Sequence, residues 1–337
     1  MIGFPECTHP KTKRFGKTKA GEQRYRCCDC GKTFVASTRD LGGMRIGTDK
    51  AEQIIRCLVE GVGVRGTARL AGVDQHTVMD LLVLIGQRCK LFMESAIVNV
   101  PVKDVQADEI WSFVYCKDKT RKKLSLPVAF YGDRYCFVGF ERHNKLALAW
   151  HLGHRDFLDG EAFVLKLARA CGNHDFQVTT DGWTPYKRLV PRILRYADFV
   201  TLIKVYANAN DAGRYSPGTI IEMKYKPIVG EPDMDRVCTS HVERHNLNMR
   251  MGMRRFTRLT NGFSRKLANH EAALGLYFAA YNFVRKHGTI KTTPAAAAGI
   301  ANQPWTVGEL IDRTADYNPP KPLTGMAGFI DSLPDSE

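Results

Sequence analysis

The chain has 337 residues and a formal net charge of +14 at pH 7; its hydrophobic (44%) and charged (25%) fractions exclude a mainly disordered polymer and allow a sizeable core. A positive surplus of this size favours a polyanionic partner, and no run of about 18 apolar residues offers a membrane span. The N-terminal run MIGFPECTHPKTKRFG lacks the apolar stretch of a secretory signal, and six of the ten cysteines are scattered through apolar segments, so a reducing, cytoplasmic setting is expected.

Residues 1–40 are basic, with nine Lys/Arg against two acids between Lys11 and Arg39. The run RYRCCDCGKTF places Cys27 and Cys30 with two residues between them, followed by Gly31 and Phe34, like one knuckle of a zinc ribbon. Cys7 and His9 are the candidates for the other two zinc ligands. Pro10 stands where a regular ribbon has its second upstream cysteine, so a degenerate ribbon without metal is the alternative. A module this small builds little core, and a bound zinc would supply its folding energy.

Residues 45–95 form a second unit. Ile54, Ile55, Leu58 and Val59 have helical spacing within 49–60. Val64–Leu70 then reads as a short helix, Ala71–Asp74 as a turn and Gln75–Ile85 as a second helix, a helix-turn-helix pattern. Gln75, His76 and Thr77 open the second helix, where side chains reach base edges, while Val78, Leu81, Leu82 and Ile85 face inward. A plain helical hairpin has the same pattern.

Residues 100–290 carry three acids in suggestive settings. Asp108 lies in the strand-like VQADEIWSFVYC; the alternation of strand side chains sends its neighbour Glu109 to the opposite face. Asp181 ends the strand Phe176–Asp181 and is followed by Gly182 and Trp183, at a strand C-terminus where α/β sheets hold ligands. Glu243 lies in a helical-looking segment, sharing a face with Asn246 and Arg250. Further strands are expected at Leu124–Tyr131, Tyr135–Glu141 and Phe199–Val205, with a helix at Phe157–Cys171. This is the βββαβαβα order of a ribonuclease H-like domain, in which such acids converge on Mg²⁺ or Mn²⁺. Two ions about 3.5–4 Å apart activate a water or 3′-hydroxyl and stabilise the leaving oxygen. Each acid alone also reads as a capping or salt-bridging residue.

His241 and His245 are four residues apart, but Glu243 is not at the next position after His241, so the zinc-protease pattern HExxH fails. The two histidines are expected to line the site or contact phosphate. Residues 239–287 read as helical. From Arg244 to His270 there are seven cations and no acid: Arg244, Arg250, Arg254, Arg255, Arg258, Arg265 and Lys266. Arg254 and Arg258 would lie one helical turn apart. This one-signed stretch begins directly after Glu243 and suits phosphate binding beside the metals. Residues 291–337 read as a partly disordered C-terminal extension containing Asn318-Pro319-Pro320-Lys321-Pro322.

Taken together, RYRCCDCGKTF, the helix-turn-helix, DEIWSFV, TTDGWTPY, VERHNLNMRMGMRRFTRLTNGFSRK and NHEAALGLYFAAYNFVRKH resemble bacterial insertion-sequence transposases of the DDE type, most closely the insertion sequence 1 family. The resemblance covers most of residues 7–290. It implies a catalytic triad of Asp108, Asp181 and Glu243, cleavage at terminal inverted repeats, and transfer of 3′-hydroxyl ends to target DNA with Mg²⁺. It also implies double-stranded DNA as partner, a homo-oligomeric synaptic complex and a nucleoid-associated location. The expected fold class is therefore α/β, a ribonuclease H-like catalytic domain preceded by a zinc-ribbon-like module and a helix-turn-helix. Two other functions fit parts of the pattern: a non-catalytic sequence-specific DNA-binding protein derived from a transposase, and a nuclease without strand transfer.

Overall fold

A computed structural model describes residues 11–17, 23–35, 41–206, 220–257 and 260–319. Cys7, His9, Arg258 and the tail from residue 320 lie outside the described residues. Near the N-terminus, β1 (Thr12–Lys17), β2 (Gln23–Cys27) and β3 (Thr33–Val35) form a three-stranded antiparallel sheet. The β2–β3 turn is closed by Gly31 N–H donating to Cys27 O (3.1 Å), with Gly31 at φ +69°. Cys27 is buried at its start and Cys30 exposed at its end.

Three helices follow: α1 (Thr48–Val59), α2 (Val64–Ala71) and α3 (Gln75–Ala96). Gly72 ends α2 in the left-handed region, and the Asp74 side chain caps α3 by accepting from His76 N (2.7 Å). Val78, Leu81, Leu82 and Ile85 are buried as their spacing predicts. The helix continues past Ile85 because Cys89, Phe92 and Met93 extend the same buried stripe.

The main sheet has the order β6-β5-β4-β7-β8-β9. Its members are β4 (Asp104–Val114), β5 (Gly132–Glu141), β6 (Ala147–Gly153), β7 (Phe176–Thr180), β8 (Ala197–Tyr206) and β9 (Ile220–Val229). Central β4 is antiparallel to β5 and parallel to β7, so the sheet is mixed. Between the strands run α4 (Asp118–Lys123), α5 (Phe157–Cys171) and α6 (Tyr186–Ile193). After them come α7 (Ser240–Gly252), α8 (Leu267–Phe283), α9 (Pro294–Ala297) and α10 (Val307–Arg313). This α/β arrangement is compatible with a ribonuclease H-like fold.

Two expectations are corrected. Leu124–Tyr131 is not a strand: the buried Arg134 guanidinium draws in the carbonyls of Val128, Ala129 and Tyr131, which leaves them unavailable to a ladder. The third strand is β6 instead, and β9 adds an exposed strand at the far edge. Residues 239–287 are not continuously helical. The chain leaves α7 at Met253, makes a 3-10 turn at Arg254–Phe256 that buries Phe256, and re-enters helix only at Leu267. Between them Ser264 docks on the end of β4, its carbonyl accepting from Tyr115 N (2.8 Å).

One apolar cluster runs from Leu41 through the sheet to Ile311. Its seam is the crossing of α3 and α8, where a Cβ on Gly275 would lie 2.2 Å from Gly86 O and one on Gly86 2.0 Å from Ala272 O. Only glycine lets the two backbones approach so closely. The C-terminal residues return to this core, with Trp305 stacked on Phe283 (centroids 4.4 Å).

Candidate metal centre

The register of β4 and β7 builds the site. Ala107 pairs with Thr180 across these parallel strands, so the next residues, Asp108 and Asp181, emerge side by side at the C-terminal end of β7. There β7 stops while β4 continues against β5 alone. Asp181 therefore sits on a turn, its Oδ1 accepting from Trp183 N (2.9 Å), and is free of strand alternation. This corrects the placement of Glu109 away from the site. Asp108, Glu109 and Asp181 each offer a carboxylate oxygen, and the three oxygens lie within 4.8 Å of one another.

The electrostatics suit a cation. Burial pushes the Asp108 carboxyl up to about 6, and the charges of Asp181 and Glu243 push it the same way, against a hydrogen bond from Asn246 Nδ2 to Asp108 Oδ2 (2.9 Å). Burial, aided by Asp181, pushes Glu109 up to about 7. The Glu109 side chain is only 3% exposed. Its carboxylate faces the buried Tyr186 hydroxyl, which holds the carboxyl down against burial, but Oε1 and that hydroxyl complete no well-formed hydrogen bond. An under-satisfied buried oxygen within a set of three carboxylates fits a divalent metal ion, and all-oxygen donors suit hard ions of the Mg²⁺, Mn²⁺ or Ca²⁺ kind. Arg155 now neutralises part of the set: Nε donates to Glu109 Oε2 (3.1 Å) and Nη2 to Asp181 Oδ2 (3.3 Å).

Glu243 stands apart from that set. The Gln106 side chain on β4 pins the start of α7 by accepting from His241 N and Val242 N (both 3.0 Å). This brings α7 beside β4. The Glu243 carboxylate accepts from Thr239 Oγ1 (2.6 Å) and is paired with Lys204 Nζ. Asn246, expected with Arg244 and Arg250 among the DNA contacts, is instead turned inward onto Asp108 and is 3% exposed, whereas Arg244 is exposed and Arg250 half-buried.

His245 neither lines the site nor reaches the surface, contrary to expectation. It is enclosed by Phe140, Tyr277, Phe278 and Tyr281, and burial holds its imidazole down to about 3, so it is a neutral core residue. His241 lies at 3.3 Å from Lys145 Nζ.

A groove runs between the start of α3 and the segment that follows α7. Gln75 and His76 line it from one side, with Arg65 and Arg69; Arg254, Arg255, Arg265 and Lys266 line the other, and Asp80 is the one acid on its wall among the described residues. Thr77 is half-buried behind it. Arg255 is the exception to exposure, since its Nη1 donates to Ser264 Oγ (2.5 Å) and burial lowers its guanidinium to about 10. Ser264 in turn contacts His270 Nδ1 (3.1 Å), whose Nε2 meets Ser112 Oγ (2.9 Å).

Sequence reasoning missed Glu109 and Arg155. The adjacent acids Asp108-Glu109 in an otherwise apolar strand were the available signal for the first; nothing local marks the second. No protein-family model matches the chain. No helix among the described residues is long and apolar enough to cross a membrane.

Proposed function

We propose that the protein is a DDE-type DNA transposase, similar to the insertion sequence 1 family, which binds the terminal inverted repeats of its element, cleaves phosphodiester bonds and joins 3′-hydroxyl ends to target DNA. The observation that carries this reading is the placement of Asp108 beside Asp181, one residue past the Ala107–Thr180 pair of adjacent parallel strands, with Glu109 beside them. In this reading Asp108 and Asp181 hold Mg²⁺ or Mn²⁺, Glu109 adds an oxygen, and Glu243 joins them from α7 once released by Lys204. Bound divalent ions would supply activation of the attacking hydroxyl and stabilisation of the leaving oxygen. Asn246 orients Asp108, and the protein excludes water from one side of the pair by burying Glu109 and Tyr186.

The helix-turn-helix reading assigns base contacts to Gln75, His76 and Thr77, and the basic segment after Glu243 is assigned phosphate contacts through Arg244, Arg250, Arg254, Arg255 and Arg258. The mixed groove wall supports it, because residues far apart in sequence face one channel with almost one sign of charge. Zinc held by Cys7, His9, Cys27 and Cys30, and a homo-oligomer that brings two DNA ends together, belong to the same reading.

The test is strand transfer by the full chain of a labelled duplex bearing the inverted repeat that flanks its coding region, in Mg²⁺. Asp108→Ala and Asp181→Ala are each expected to lower joining by about 100-fold or more while leaving DNA binding intact. Binding without cleavage by the parent chain would instead favour the non-catalytic DNA-binding protein. Cleavage without joining would favour the nuclease.

A further inference from the structure

Arg155 occupies an unusual position. Its guanidinium forks onto two carboxylates of the metal set, Glu109 and Asp181, yet its side chain is 39% exposed and it comes from a loop rather than a strand. That loop is tightly built. Asp159 accepts from His154 N (2.6 Å) through Oδ2 and meets His151 Nε2 (2.7 Å) through Oδ1. Asp156 caps α5 by accepting from Asp159 N (3.0 Å). A Cβ on Gly153 would collide with Asp159 at 2.2 Å, so the strand end must be glycine for the turn to close. Arg155 is thus presented by fixed backbone on both sides.

In this same position the guanidinium also lies over an aromatic ring. Its carbon lies 5.4 Å from the centre of the Trp183 ring, within cation–π range. Trp183 is itself seated on the first turn of α5, where a Cβ on Gly160 would approach the ring to 2.9 Å. The ring is seated on α5 while the Trp183 backbone N–H is tied to Asp181 Oδ1, so the shelf stays beside the carboxylates and the arginine can leave Glu109 and Asp181 without leaving the protein.

The Glu109 side chain is 3% exposed, and its Oε1 has the Tyr186 hydroxyl beside it without completing a well-formed hydrogen bond even with Arg155 in place, so this buried oxygen is under-satisfied. One positive charge from Arg155 leaves three neighbouring carboxylates incompletely neutralised, whereas a divalent ion offers higher charge and more coordination positions.

We propose that Arg155 is the internal counter-ion of the metal site, holding Glu109 and Asp181 together in the metal-free protein and yielding to the first divalent cation, which displaces the guanidinium along the Trp183 face. This rests on the metal-binding part of the transposase reading and not on strand transfer. Arg155 is a positioning residue in this scheme and competes with metal. A residue that merely scaffolded the carboxylates would have the opposite effect when removed.

Mn²⁺ titration of the full chain without DNA, followed by calorimetry, distinguishes the two. Arg155→Gln is expected to bind Mn²⁺ about tenfold more tightly than the parent, and Arg155→Lys to stay near the parent because it keeps the charge. Mg²⁺ is expected to produce a saturable change in tryptophan fluorescence that is lost in Arg155→Gln and in Trp183→Phe. Weaker or unchanged Mn²⁺ affinity in Arg155→Gln, or no Mg²⁺-dependent fluorescence change in the parent, overturns the proposal. Absence of Mn²⁺ binding to every form overturns it together with the metal site. Failure of strand transfer with tighter Mn²⁺ binding in Arg155→Gln overturns only the transposase.

Discussion

At the residue scale, the site is held in an electrostatically costly state. Asp108 titrates near 6 in the fold, against about 3.9 for an unfolded aspartate. Between these values the native state binds more protons than the unfolded one, so this group makes stability fall as pH rises through that window. Below it both states are protonated and the group contributes nothing. Removing the charge should therefore stabilise the metal-free protein, and Asn at position 108 retains an oxygen for Asn246 Nδ2. In a chelator at about pH 8, Asp108→Asn is expected to gain on the order of 2 kcal/mol of stability, with the gain shrinking as pH approaches about 4. Paired thermal melts at the two pH values check this; a lower melting temperature for the variant at the higher pH would contradict it. Buried His245 acts in the opposite sense, since it must gain a proton on unfolding below its ordinary value, so the paired comparison is more informative than the parent's pH profile.

At the scale of elements, the site depends on register and on two helix contacts. The β4–β7 register sets Asp108 beside Asp181, Gln106 fixes the start of α7, and the α3–α8 crossing joins the N-terminal helices to the sheet. The crossing has no room for a side chain. Gly275→Ala is expected to cost about 1–3 kcal/mol, because a methyl group would press on the Gly86 carbonyl and force two long helices apart. Urea unfolding measures it, and an unchanged midpoint would show that the helices separate freely. The helix at Phe157–Cys171 and the strands around Asp108 and Asp181 were legible because their apolar periodicity is local. The strand proposed at Leu124–Tyr131 has a plausible local pattern too, but Arg134, farther along the chain, captures its carbonyls. The basic segment after Glu243 read as one helix because its composition permits one; packing of Phe256 and docking of Ser264 on β4 break it.

At the scale of the whole molecule, the +14 charge is partly gathered into a groove lined by Arg65, Arg69, Arg254, Arg255, Arg265 and Lys266. If duplex DNA lies there, its affinity falls with salt through release of counterions from the phosphates. Exposed Arg65 and Arg265 stand on opposite walls. The double variant Arg65→Gln, Arg265→Gln is expected to weaken binding to duplexes of any sequence and to reduce the log–log salt slope by roughly 1–2. Fluorescence anisotropy across a salt series reads both quantities. An unchanged slope would place the phosphates elsewhere.

The sequence by itself determined the chain's positive surplus, the α/β alternation and the strand ends that carry Asp108 and Asp181. These follow from composition and from periodicities spanning a few residues. Tertiary structure alone decided that Glu109 joins the acids, that Glu243 is held by Lys204 and Thr239, that His245 is a neutral core residue, and that Arg155 lies over the carboxylates. The physical reason is common to all four. Each depends on where a neighbouring strand stops or which distant side chain arrives, and side-chain alternation or helical spacing carries no information about either.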